Sequence, residues 1–61
     1  IKIMDDIIIL DYSNGKVYIY TLPRLNMYDS EIETWLDYMG FNLNDINWMV
    51  NKNITINDER K

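Results

Sequence analysis

Asn14-Gly15 constrains this chain more than any other feature, because it stands between two apolar runs, Ile7–Leu10 and Val17–Thr21. A two-residue hairpin loop of type I′ needs positive φ at both central positions, which Asn and Gly tolerate best, so the pair predicts a β-hairpin. The first strand, Asp5 to Tyr12, is rich in β-branched isoleucine, which suits a pleated surface. The second, Lys16 to Leu22, is followed by Pro23, which has no amide to donate and ends the pairing. A two-residue turn sets Ser13 opposite Lys16, Leu10 opposite Ile19, Ile9 opposite Tyr20 and Ile7 opposite Leu22. One face then carries Ile8, Leu10, Tyr12, Val17, Ile19 and Thr21. The other carries Ile7, Ile9, Asp11, Tyr18, Tyr20 and Leu22. Both faces are apolar, whereas a hairpin covered on one side alone should alternate apolar with polar.

Only one helix is written into the rest of the chain. Ser30 with Glu33 three residues on reads as a capping box, and Asp29 or Ser30 opens the helix. Ile32, Trp35, Leu36 and Met39 follow at i, i+3, i+4 and i+7 and form one apolar stripe. Gly40 suits the left-handed residue past a helix end, and Phe41 can fold back on Leu36 in a Schellman closure. Beyond a polar turn, Ile46, Trp48 and Val50 alternate with Asn47 and Met49, which favours a third strand over a short helix capped by Asn44. Ile54-Thr55-Ile56 is a candidate fourth strand. The expected fold is therefore α+β, one small domain over 1–61: a small antiparallel sheet of three or four strands with one helix packed on one face, in the order β-β-α-β. One helical stripe covers one sheet face and leaves the other. The connector Leu22 to Tyr28, with Leu25 and Met27, is the one segment placed to shield that second face.

Composition narrows the chemistry. At 61 residues and without cysteine, the chain has no disulfide to reinforce a small core, so association is the remaining source of stability. No histidine is present either, which removes imidazole bases and histidine metal sites, and Ser13 and Ser30 have no base to activate them. With two glycines in all, there is no phosphate-cradling loop. Asp5-Asp6 is explained by solvation at a strand start, and Glu31 and Glu33 by the positive end of a helix. The Asn- and Asp-rich stretch from Asn42 to Asp58 lacks EF-hand spacing and reads as turn chemistry. We expect no enzyme activity, no cofactor and no metal. The net charge of -4 argues against direct nucleic-acid binding. The longest apolar run, Ile7 to Leu10, is too short to cross a bilayer, and no signal peptide is visible. Cytoplasm is the expected compartment, and a methionine is expected to have preceded Ile1.

The stretch from Asp5 through Asn53 resembles small uncharacterised proteins of gut Bacteroidales genomes and their mobile elements. The likeness is carried by D-D-I-I-I-L, by Y-I-Y-T-L-P from Tyr18 to Pro23, by the helix S-E-I-E-T-W-L and by W-M-V from Trp48 to Val50. It implies a bacterial accessory protein and assigns neither an activity nor functional residues.

The aromatics point to function. Tyr18 and Tyr20 share a hairpin face with Ile7, Ile9 and Leu22, and tyrosine pairs suit interfaces because they bury much area behind a polar tip. The expected function is a protein-interaction module, a homo-oligomer or an accessory subunit on an unknown protein partner. Its interface is expected at Ile7, Ile9, Tyr18, Tyr20 and Leu22, with Tyr20→Asp as the disrupting change. The inverted arrangement makes that face the core and leaves Ile8, Leu10 and Ile19 outside. The rival function is an acidic inhibitor of a DNA-acting enzyme that mimics a phosphate backbone with Asp5, Asp6, Asp11 and the helix acids.

Overall fold

The order of elements follows the hairpin, the stripe and the alternation. A computed structural model describes residues 2–61. Strand β1 spans Asp6–Asp11, β2 Lys16–Thr21, helix α1 Asp29–Tyr38 and β3 Ile46–Asn51, with a 3-10 turn at Leu43–Asp45 before β3. The sheet has three strands in the order β2-β1-β3, and both pairings are antiparallel. This is the α+β, β-β-α-β arrangement, with one helix on one face. The candidate strand at Ile54 to Ile56 is not formed: those residues carry no regular structure and have no strand partner.

The hairpin loop is longer than its dipeptide suggests. Asp11 faces Lys16, so the loop is Tyr12 to Gly15, and Ile9 faces Tyr18 rather than Tyr20. Competing hydrogen bonds explain the difference. The Asp11 carboxylate accepts from the Ser13 amide at 3.0 Å and from its hydroxyl at 2.6 Å, while the Gly15 amide donates to the Asp11 carbonyl at 3.0 Å. The Asn14 side chain accepts from the Lys16 amide at 3.0 Å, and of the two central residues only Gly15 has positive φ, +68°. Aspartate and asparagine satisfied locally in this way favour the open loop over type I′. The register slips by two residues, an even number, so every side chain keeps the face it was expected to have.

Helix α1 is capped two residues earlier than Ser30 and Glu33 suggest. Tyr28 holds the cap position, and its amide donates to Glu31 Oε1 at 2.9 Å. Glu31, not Glu33, thus reaches back to the helix start, and no capping bond from the Ser30 hydroxyl forms. The Glu31 carboxyl lies below its ordinary range, first because it accepts from the Tyr28 amide and then because the Arg24 charge is near. The far end closes as expected. Phe41 donates to the Leu36 carbonyl at 3.1 Å and Gly40 to the Asp37 carbonyl at 3.0 Å, with Gly40 at φ +97°. These are the two bonds of a Schellman motif.

The core is Ile7, Ile9, Leu22, Ile32, Leu36 and Ile46. Ile7 and Ile9 are 0% exposed and lie under α1 with Leu36, also 0% exposed. Trp35 is half-buried in the same layer, whereas Met39, the last member of the stripe, lies largely outside it. Aromatic rings complete the covered layer. Tyr18 meets Phe41 edge-on with centroids 5.2 Å apart, and Tyr20 meets Trp35 edge-on at 5.8 Å. Tyr18 and Tyr20 stack at 6.3 Å. Such geometry adds to the area these rings bury. Met27 of the connector packs on this same layer, and Leu25 is exposed.

Candidate functional site: the open face of the sheet

The two faces of one strand separate cleanly. Odd-numbered Ile7 and Ile9 of β1 point to the helix together with Tyr18 and Tyr20 of β2 and Trp48 and Val50 of β3. Even-numbered Ile8 and Leu10 point the other way. Ile8 lies between Ile19 and Met49, and Leu10 between Val17 and Asn47. This second face is aliphatic. Val17 is 52% exposed, Met49 54% and Ile19 45%. A shallow hollow of about 230 Å³ crosses it, lined by Ile8, Leu10, Asn47, Trp48 and Met49.

Ile7, Ile9, Tyr18, Tyr20 and Leu22 do come together, as the strand alternation requires, but the place they occupy corrects the expected interface. They form the covered layer, with Ile7, Ile9 and Leu22 buried and the two tyrosines half-buried. They are core residues, and Tyr20→Asp would strike the fold rather than a contact surface. The physical reason is ring area: Trp35 and Phe41 seat on Tyr18 and Tyr20, and the opposite face offers no ring on either hairpin strand. The inverted arrangement, with Ile8, Leu10 and Ile19 outside, is the one the molecule adopts. Val17 and Met49 complete it. Alternation in β3 carried the signal for Met49, since it opposes the Ile46, Trp48 and Val50 series.

The dimensions of the chain reflect both the uncovered face and the irregular, exposed segment after Asn51. The Cα frame measures 37 × 31 × 14 Å, a thin slab. Its radius of gyration is 12.3 Å, against about 10.5 Å for a compact chain of this length. Exposed area is 4909 Å², against roughly 4,200 Å² for a compact monomer of this mass.

Polar groups fringe the face without charging it. At the hairpin end the Asn47 amide donates to the Tyr12 hydroxyl. At the other end Asp6 is paired with Lys2 and accepts from the Thr21 hydroxyl at 3.2 Å. The Lys2 hydrogen bond holds the Asp6 carboxyl below its ordinary range, and the Thr21 bond acts in the same sense. Asp11 is engaged in the loop and Glu31 at the helix start. The acids that a phosphate-like ladder would need are thus dispersed over several elements, and Asp6, Asp11 and Glu31 are each engaged with partners of their own. Among the described residues no three acidic side chains converge as a metal cage requires. A second hollow, of about 370 Å³, lies beside α1 between Arg24, Glu31, Thr34, Trp35 and Tyr38. Its charges are mutually paired, Arg24 to Glu31 at 3.3 Å. Among the described residues no helix is long and apolar enough to cross a membrane.

Comparison with protein-family models, with curated proteins and with solved structures gave no significant match.

Proposed function

We propose that this chain is a non-enzymatic protein-interaction module whose contact surface is the open sheet face centred on Ile8, Leu10, Ile19 and Met49. The observation that carries this reading is the exposure of that contiguous aliphatic surface in a thin two-layer fold. Small folds seldom leave such a patch in water unless something docks there. A surface with few charges also suits the centre of an interface, where desolvating ionised groups is costly. On the sequence resemblance and the lack of a visible signal peptide, and independently of the open face, we also propose a bacterial accessory protein of Bacteroidales type that acts in the cytoplasm. The test is Leu10→Lys, made one residue from buried Ile9. The chain should keep its far-UV and near-UV circular dichroism, and a tagged version should lose the proteins that the unaltered chain captures from its native host. Equal capture by both, with the fold intact, would remove the open face from the function.

A further inference from the structure

We infer that the outer edge of β2 pairs with the same edge of a second copy of this chain, making one continuous six-stranded sheet. The inference stands on backbone groups and does not depend on the open face being a docking surface. Just past β2, the Leu22 amide bonds to the Asp5 carbonyl at 2.8 Å and continues the ladder with β1. Alternation along the strand then turns the peptide groups of Tyr20 and Tyr18 toward Ile7 and Ile9 of β1. The peptide groups of Val17, Ile19 and Thr21 face outward, and β2 is a terminal strand of the sheet. Between Lys16 and Leu22 this edge has no charge, no proline and no bulge, the devices that ordinarily blunt an exposed strand.

A second copy, rather than a foreign strand, is indicated by symmetry. A two-fold contact requires each residue to fit its own mirror position. The strand reads nearly the same in both directions about Ile19: Tyr18 and Tyr20 flank it, then β-branched Val17 and Thr21. An antiparallel pairing centred on Ile19 sets Ile19 against Ile19, Val17 against Thr21 and Tyr18 against Tyr20. Val17, Ile19 and Thr21 each then exchange amide and carbonyl bonds with the second copy. On the covered side the stacked Tyr18–Tyr20 pair, 6.3 Å between centroids, continues into the tyrosines of the second copy. On the open side two aliphatic faces merge into one surface of twice the width. Charge permits the approach although the chain is at -4, because the only charged residue of β2 is Lys16 at its end, which falls opposite Leu22. The other terminal strand, β3, fits this symmetry less well. A two-fold at Trp48 would oppose Asn47 to Met49 and set two indoles directly against each other.

The experiment is backbone N-methylation by total synthesis, which a chain of 61 residues allows. Methylating the amide of Ile19 blocks the outward bond and leaves the β1–β2 ladder whole. Sedimentation at high micromolar concentration should give twice 7.4 kDa for the unmodified chain and 7.4 kDa for the methylated one, with the same circular dichroism. Amides of Val17, Ile19 and Thr21 should exchange more slowly as the unmodified chain is concentrated. A mass of 7.4 kDa for the unmodified chain, or a dimer that survives N-methylation at Ile19, would overturn the edge pairing. Leu10→Lys separates this from the preceding reading, since Leu10 lies on the central strand. If that substitution alone dissolves the dimer, two open faces stack and the edge pairing is wrong. If N-methylation alone dissolves it, the edge pairs, whatever docks on the open face.

Discussion

Ile9 and Leu10 are consecutive in the same central strand, between β2 and β3, yet Ile9 is 0% exposed and Leu10 39%. The covered face and the open face of this sheet differ in kind more than in hydrophobicity. Rings fill the covered face, where Tyr18, Tyr20, Trp35 and Phe41 interlock edge to face. Aliphatic chains, Ile8, Leu10, Val17 and Ile19, occupy the middle of the hairpin's open face, with Asp6 and Thr21 at its end. Burial in a two-layer fold goes to the face that offers the larger contact area, and aromatic side chains offer the most per residue. Two apolar faces are therefore not equivalent candidates for the core, even when they contain the same number of isoleucines.

The largest effect should come from breaking the covered side. Ile9→Ala should destabilise the chain by about 2–5 kcal/mol, while neighbouring Leu10→Ala should cost no more than about 1 kcal/mol in the isolated monomer. Urea titration followed by circular dichroism, at a concentration low enough to avoid association, compares the two. Equal losses would mean that the open face is as well packed as the core, and the comparison would fail. Next comes Gly40→Ala. The space around Gly40 is empty, so the penalty is that of φ +97° alone, about 1–2 kcal/mol. The change also disturbs the closure that presents Phe41 to Tyr18, so near-UV circular dichroism should weaken more than far-UV. An unchanged aromatic signal would separate the helix end from the ring cluster. The smallest effect concerns Glu31. Its carboxyl titrates below the ordinary value of 4.5, so the stability it contributes is complete above that pH and is lost as pH falls through the lowered value. Glu31→Gln should flatten that part of the acid-denaturation curve and leave the curve near neutrality little changed. A variant with the same acid limb as the parent would show that the Tyr28 amide contact does not persist in solution.

Much of this fold can be read without coordinates. Asn14-Gly15 marks the hairpin, the Ile32-Trp35-Leu36 spacing marks the helix, and Gly40-Phe41 specifies its closure to the atom. Each is local, and local geometry decides each. The parity of the strands was also legible, because alternation survives an even slip of register. What the chain hides is competition between near-equal alternatives. Asp11, the last residue of β1, captures Ser13 with its carboxylate and lengthens the loop. Glu31 takes the capping role that Ser30 and Glu33 advertise. Ile54 to Ile56 has strand-forming residues but finds no partner on the sheet. The choice of face is harder to read: it turns on rings far apart in sequence, Trp35 and Phe41 against Tyr18 and Tyr20, and tertiary pairing of that sort leaves no periodic trace. A signal for the candidate site was present in the rings Tyr18, Tyr20 and Trp48, which alternation sets on the face of Ile7 and Ile9 and so away from Ile8 and Leu10.

Topology adds a kinetic consequence. Strand β1 comes first in the chain but sits in the middle of the sheet. During synthesis it can zip to β2 at once, whereas the row of peptide groups at Asp6, Ile8 and Leu10 must wait for their β3 partners Asn51, Met49 and Asn47, which lie 45, 41 and 37 positions downstream. Until then the nascent hairpin offers an unfilled slot shaped for the segment Ile46–Asn51, and the β3 of a neighbouring chain fits that slot as well as its own. Crowded polysomes would therefore be the setting in which this protein is most prone to exchange its last strand.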